Sequence, residues 1–206
     1  MKNFLCILSV FFFSAVAVQA QNEEYRFTGT VSVGATGTGF VVKAASSFLP
    51  DDSKVSVSVT PSFQGTVDYG IAKFFSVGGA VSVQNFALDV ENYTYEFMEQ
   101  TVTEDFKINA NRATFALRPM FHYANNDRID LYSGVRLQLI YWSVNADTTD
   151  PNFNFADNKI FSAGIRPGIG VVPFGMRAYV TENIGIGFEL NIGAPYIANV
   201  GVSGRF

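Results

Sequence analysis

Ile184-Gly185-Ile186-Gly187-Phe188-Glu189-Leu190-Asn191-Ile192 alternates without a break: each even position is apolar, and each odd one is glycine, a carboxylate or an amide. A repeat of two is the pattern of a β-strand with one apolar face. Beyond Gly193-Ala194-Pro195 the alternation resumes. It predicts Tyr196, Ala198, Val200, Val202 and Phe206 on one face and Asn199, Gly201, Ser203 and Arg205 on the other. Bulky apolar side chains opposite glycines and charges suit a closed barrel with lipid outside and a narrow, wet lumen.

Working back toward the N-terminus, the same pattern recurs in six further segments. The first runs from Tyr25 to Val42 and the second from Lys54 to Tyr69, where Val55, Val57, Val59, Phe63, Val67 and Tyr69 are expected on the lipid face. Next come Lys73 to Val90, Lys107 to Tyr123, Arg128 to Asn145, and Lys159 to Val180. In the last of these the alternation changes phase at Val171-Val172-Pro173, which predicts a bulge. The total is eight strands, with tight turns after the second, fourth and sixth and longer loops after the first, third and fifth. The fold class expected is therefore all-β: an eight-stranded antiparallel up-and-down transmembrane β-barrel. Tyr25, Phe27, Tyr69, Phe75, Phe121, Tyr123 and Phe206 would form an aromatic girdle at the turn end. Pro61, Pro119 and Pro167 fit badly, because each removes a ladder hydrogen bond from a strand.

The first residues, Lys2, the apolar run Phe4 to Val18, and Val18-Gln19-Ala20, read as a cleavable signal peptide over 1–20, with the barrel domain at 21–206. Cys6 is the only cysteine, so an exported barrel would have no disulfide. Past that run no stretch reaches the roughly eighteen apolar residues of a spanning helix. The formal net charge of −4 gives no support for nucleic-acid binding. With one histidine and one cysteine there is no metal-ligand cluster, and no cofactor is expected.

The segment from Pro173 to Gly193 (PFGMRAYVTENIGIGFELNIG), with the glycine-bearing last strand and Phe206, resembles the closing hairpins of small eight-stranded bacterial outer-membrane β-barrel proteins. The resemblance implies residence in the cell outer membrane, among its lipid and lipopolysaccharide. It also implies that the barrel assembly machinery reads Phe206 as a C-terminal signal. It implies no single activity, because members of such a fold differ in what they do.

The residues themselves point away from catalysis. A lipid-acyl hydrolase would need a nucleophile and a positioned base, and the only histidine, His122, has no G-x-S-x-G motif with it. His122 is expected to be a polar lumen residue. Arg26, Arg112, Arg118, Arg136, Arg166, Arg177 and Arg205 should share the lumen with Asp68, Asp130 and Glu189. In so narrow a barrel these charges should pair and plug it. The sharper expectation is that Glu189 pairs with Arg136 or Arg118 near mid-barrel and that such a pair could gate the lumen.

The loop Glu91 to Phe106 carries Tyr93, Tyr95 and Phe97 alternating with polar residues. This predicts an extension of the third and fourth strands above the membrane, offering an edge to an extracellular partner. The first functional expectation is a non-enzymatic structural or surface-interaction protein. A narrow gated pore for small solutes is second, and a soluble lipocalin-like lipid-binding barrel third.

Overall fold

The computed structural model describes residues 26–37, 54–97, 100–125, 128–148 and 164–206. The expected signal peptide, Tyr25, the loop after the first expected strand, and residues 149–163, which hold most of the loop after the fifth and the start of the sixth, lie outside the described residues; Ala146 to Thr148, expected in that loop, continue β6. Strands are β1 (Phe27–Ala35), β2 (Lys54–Val59), β3 (Ser62–Ala72), β4 (Phe75–Phe97), β5 (Gln100–Asn125), β6 (Ile129–Thr148), β7 (Gly164–Tyr179), β8 (Ile184–Ile192) and β9 (Ala198–Arg205). β2 and β3 are two halves of one barrel strand, both paired with β4, so the closed antiparallel barrel has eight strands. The ring closes where β1 pairs with β9 in register, Thr28 opposite Arg205 through Ala35 opposite Ala198. Reciprocal backbone bonds of 3.0 Å between Phe27 and Phe206 lock the turn end of that seam.

Through the lower barrel the polarity is that of a membrane protein. Phe63, Val67, Phe115, Leu117, Leu137 and Val202 point outward, about half exposed, while Arg118, Arg136 and Arg177 are 0–2% exposed inside. A lipocalin-like barrel needs the opposite arrangement, and that expectation is overturned. The turn-end aromatics also gather: the Phe27 ring lies 4.8 Å from Tyr69 and 6.5 Å from Phe206, and Phe75 lies 5.1 Å from Phe121.

Three local readings are corrected. The hairpin between β3 and β4 turns at Lys73-Phe74, not at Tyr69 to Ala72. The second correction is at Thr60-Pro61, where the chain leaves the ladder and one extra residue enters. Phe63 lies opposite Val83 below the break, but Val59 lies opposite Phe86 above it. Pro61 has no N–H, and the Thr60 side chain fills the gap, its Oγ1 accepting from Asn85 N at 2.9 Å. The phase therefore reverses. Val55, Val57 and Val59 turn inward with Phe86, Leu88 and Val90, while Ser56, Ser58 and Lys54 face water. Above the membrane band the wall thus behaves as a soluble protein does, apolar inside and polar outside, with Lys107 and Asp89 paired at 3.0 Å on its surface.

The third correction concerns Tyr196. It was expected on the lipid face, but the turn from Ile192 to Ala198 folds into the lumen and buries it to 1% exposure. Asn191 holds that turn, its Nδ2 donating to the carbonyls of Gly193, Ala194 and Tyr196 at 3.0–3.2 Å. The bulge expected near Pro173 is present: Val171 pairs with Ile192 and Phe174 with Leu190, leaving one residue too many on β7.

A charge placed on the outer face below the phase reversal should therefore meet hydrocarbon. We expect Leu117→Arg to lower folding stability in lipid vesicles by about 2–4 kcal/mol. Ser58→Arg, above the reversal, should cost under about 0.5 kcal/mol. Urea titration of both variants measures this, and equal costs would contradict the assigned level.

Candidate functional site: the lumen charge network

The inward positions of β3, β5, β6, β7 and β8 converge because residues two apart share a face and an eight-stranded barrel brings opposite walls within side-chain reach. Small residues make the room. A Cβ on Gly78 would lie 2.0 Å from Asp68 Oδ1, and one on Gly175 would lie 2.2 Å from the Tyr132 ring. The charges scattered along the sequence thus close into one network.

Glu189 is its hub. Its Oε1 accepts from Arg118 Nη2 and, at 2.8 Å, from the Tyr132 hydroxyl; its Oε2 accepts from the Tyr196 hydroxyl. Arg136 stands 4.0 Å from Oε2 and reaches it mainly through Tyr196, whose hydroxyl accepts from Arg136 Nη1 at 2.8 Å. Arg136 also donates to Gln64 Oε1 at 2.7 Å, spanning from β6 to β3. Of the two arginines proposed from sequence, the structure brings Arg118 into direct contact with Glu189 and Arg136 into contact through a tyrosine.

Below the hub lies a second layer. Asp68 is shared by Arg118, at 3.4 Å, and Arg177, which also donates to Asp130 at 3.1 Å. The Arg177 guanidinium lies 4.5 Å above the Tyr132 ring, and Arg205 lies 3.9 Å over Tyr179 at the turn-end mouth. Every pair here is desolvated, so removal of one partner strands the other. Of the other arginines expected inside, Arg26 is half-buried and Arg166 is exposed near the loop end.

His122 closes a third set. Its Nε2 lies 2.8 Å from Ser76 Oγ and its Nδ1 2.6 Å from Asp130 Oδ1. The order of groups is that of a nucleophile, base and orienting carboxylate. Ser76 is only 3% exposed, however, and Asp130 is already engaged by Arg177. The set works as a clamp joining β4, β5 and β6 at the turn end. Sequence reading placed His122 in the lumen but could not supply its partner Ser76, 46 residues away.

The third and fourth expected strands do extend. β4 and β5 rise as a paired hairpin beyond a bulge at Glu91-Asn92, where Asn92 has φ 58° and its N–H donates to Asp105 Oδ1 at 2.8 Å. Above it Tyr93 pairs with Glu104, Tyr95 with Val102 and Phe97 with Gln100. The Tyr93 ring meets Phe106 edge-on at 5.8 Å. Among the described residues, Tyr93–Phe97 and Gln100–Glu104 pair only with each other.

This is the fold of a small transmembrane β-barrel whose lumen carries a charge network. No protein-family model matches the chain, and no curated protein matches it. Among solved structures it is similar to the outer membrane protein OprG from Pseudomonas aeruginosa, at 11% identity and TM-score 0.51, covering 89% of this chain and 97% of that one. It is also similar to the N-terminal β-barrel domain of Pseudomonas aeruginosa OprF (13% identity, TM-score 0.46, 89% and 99% covered). A third is Ail, the attachment invasion locus protein of Yersinia pestis, solved with the heparin analogue sucrose octasulfate (12%, 0.41, 89% and 99%). At these identities the likeness concerns the fold.

If Glu189 is the hub, Glu189→Gln should leave Arg118 and Arg136 short of negative charge and lower stability by roughly 3–5 kcal/mol. Equilibrium unfolding in detergent checks this, and a loss below about 1 kcal/mol would mean the network does not depend on that carboxylate.

Proposed function

We propose that the chain is a non-enzymatic integral outer-membrane barrel, exported through residues 1–20, that works at the cell surface through the projecting β4–β5 hairpin. In this reading outer-membrane lipid and lipopolysaccharide surround the apolar band, and the assembly machinery recognises Phe206. The observation that carries it is the uneven height of the wall: β4 and β5 run for 23 and 26 residues, against 9 and 8 for β8 and β9. About 9–11 tilted residues cross the hydrocarbon, so the excess on one side stands clear of the membrane. Strand edges left in that hairpin suit strand addition by an extracellular partner.

Deletion of Tyr93 to Glu104 should leave heat-modifiable gel mobility intact while abolishing adhesion of cells expressing the protein to a protein-coated surface. Adhesion equal to that of the parent would defeat the reading.

A narrow gated pore is the second reading, favoured by an opening at the loop end whose lining includes Tyr196, the tyrosine bonded to both Glu189 and Arg136. Planar-bilayer recording separates the two. A sealed lumen gives negligible current in both the parent and Glu189→Gln, whereas current that appears only in the variant identifies Glu189 as a gate. The non-enzymatic reading has its own check. A fluorophosphonate probe should leave the refolded protein unlabelled, and covalent labelling of Ser76 would overturn it.

A further inference from the structure

At the loop end the lumen opens into a cavity of about 320 Å³ whose lining includes Thr36, Gly37, Arg112, Pro195, Tyr196 and Ile197. Arg112 is 7% exposed. Its Nη2 donates at 2.5 Å to Gln84 Oε1 and at 2.5 Å to the Pro195 carbonyl, both neutral acceptors. The guanidinium sits 5.6 Å from the Phe86 ring and 5.5 Å from the Trp142 ring. Among the described residues its Nε has no hydrogen-bond partner and no carboxylate lies within ion-pair distance. Arg118, Arg136 and Arg177 differ, each having a carboxylate within 4.0 Å. A buried cation with no counter-charge among the described residues, lining a cavity, is the arrangement of an anion-binding group.

The surroundings narrow the class of anion. A single cation among neutral acceptors matches one negative charge; a dianion would exceed it and would face the oxygens of Gln84 and Pro195. Ile197 and Pro195 supply apolar lining. Above the level of Gln84 the inward wall is apolar and incompletely covered, at Val57, Leu88 and Ile108. Pockets of this size hold small molecules, with a few polar groups fixing the orientation of an apolar body.

We propose that this cavity binds a small amphipathic monocarboxylate, its carboxylate on Arg112 and its apolar body toward the inward face of β2, β4 and β5. The site is separate from the hairpin edge and does not depend on adhesion.

Trp142 is the only tryptophan in the chain, and it stacks beside the proposed binding group, so its fluorescence reports occupancy directly. The refolded full chain in uncharged detergent is titrated with hexanoate, hexanol and inorganic phosphate. Hexanoate should give a saturable change with half-saturation at least tenfold below that of either control. Arg112→Gln should raise that value tenfold or more. Gly37→Phe narrows the mouth without touching Arg112 and should do the same; it decides the matter if Arg112→Gln does not refold. A hexanol response equal to that of hexanoate means apolar partitioning, and an equal phosphate response means general anion screening. Either result, an absence of saturation, or parent-like titrations in the refolded variants overturns the proposal.

Discussion

A strand crossing hydrocarbon has no water to satisfy its backbone N–H and C=O groups, and this constraint organises the whole molecule. Every edge must be paired, so the sheet closes on itself at β1 and β9. Closure then sorts the side chains. With a period of two, one face of every strand meets lipid and the other meets a lumen only a few side chains wide. The glycines opposite Asp68 and Tyr132, the buried arginines and the exposed valines and phenylalanines all follow from that division.

The crowded axis sets the second level. Charged side chains confined there have no bulk water, so each must find a partner or a neutral acceptor. Glu189, Asp68 and Asp130 distribute three carboxylates over Arg118, Arg136, Arg177 and His122, with Tyr132 and Tyr196 supplying hydroxyls between them. The contacts run across the barrel, so the network braces opposite walls as well as filling the lumen. Arg112 lies outside this distribution, at the level where the lining changes from polar to apolar.

Much of this was legible from alternation alone, because a two-residue repeat is local and needs no knowledge of partners. The β7 bulge was legible as well, since Val171-Val172 places two apolar residues side by side. The break at Thr60-Pro61 was not read as a phase change. Val59 and Phe63 keep the same parity, and only the proline signals that a residue has been inserted between them. Tyr196 was misplaced for a similar reason: counting in twos was carried through a turn where the backbone is no longer extended. Glu189 and its arginines could be assigned to the lumen, but the tyrosine hydroxyls that bridge them depend on how strands far apart in sequence are staggered.

The central claim, that hydrocarbon lies against the outer face only below the phase reversal, is tested most directly by depth-resolved quenching. A fluorophore attached to a single cysteine at Leu117, Ala116 or Ser58 is measured in vesicles of bromine-labelled lipid. Strong quenching is expected at Leu117 and little at Ala116 or Ser58, because the first faces the acyl chains, the second faces the lumen and the third lies on the outer face above the reversal. Quenching at Ala116 or Ser58 as strong as at Leu117 would contradict the assignment.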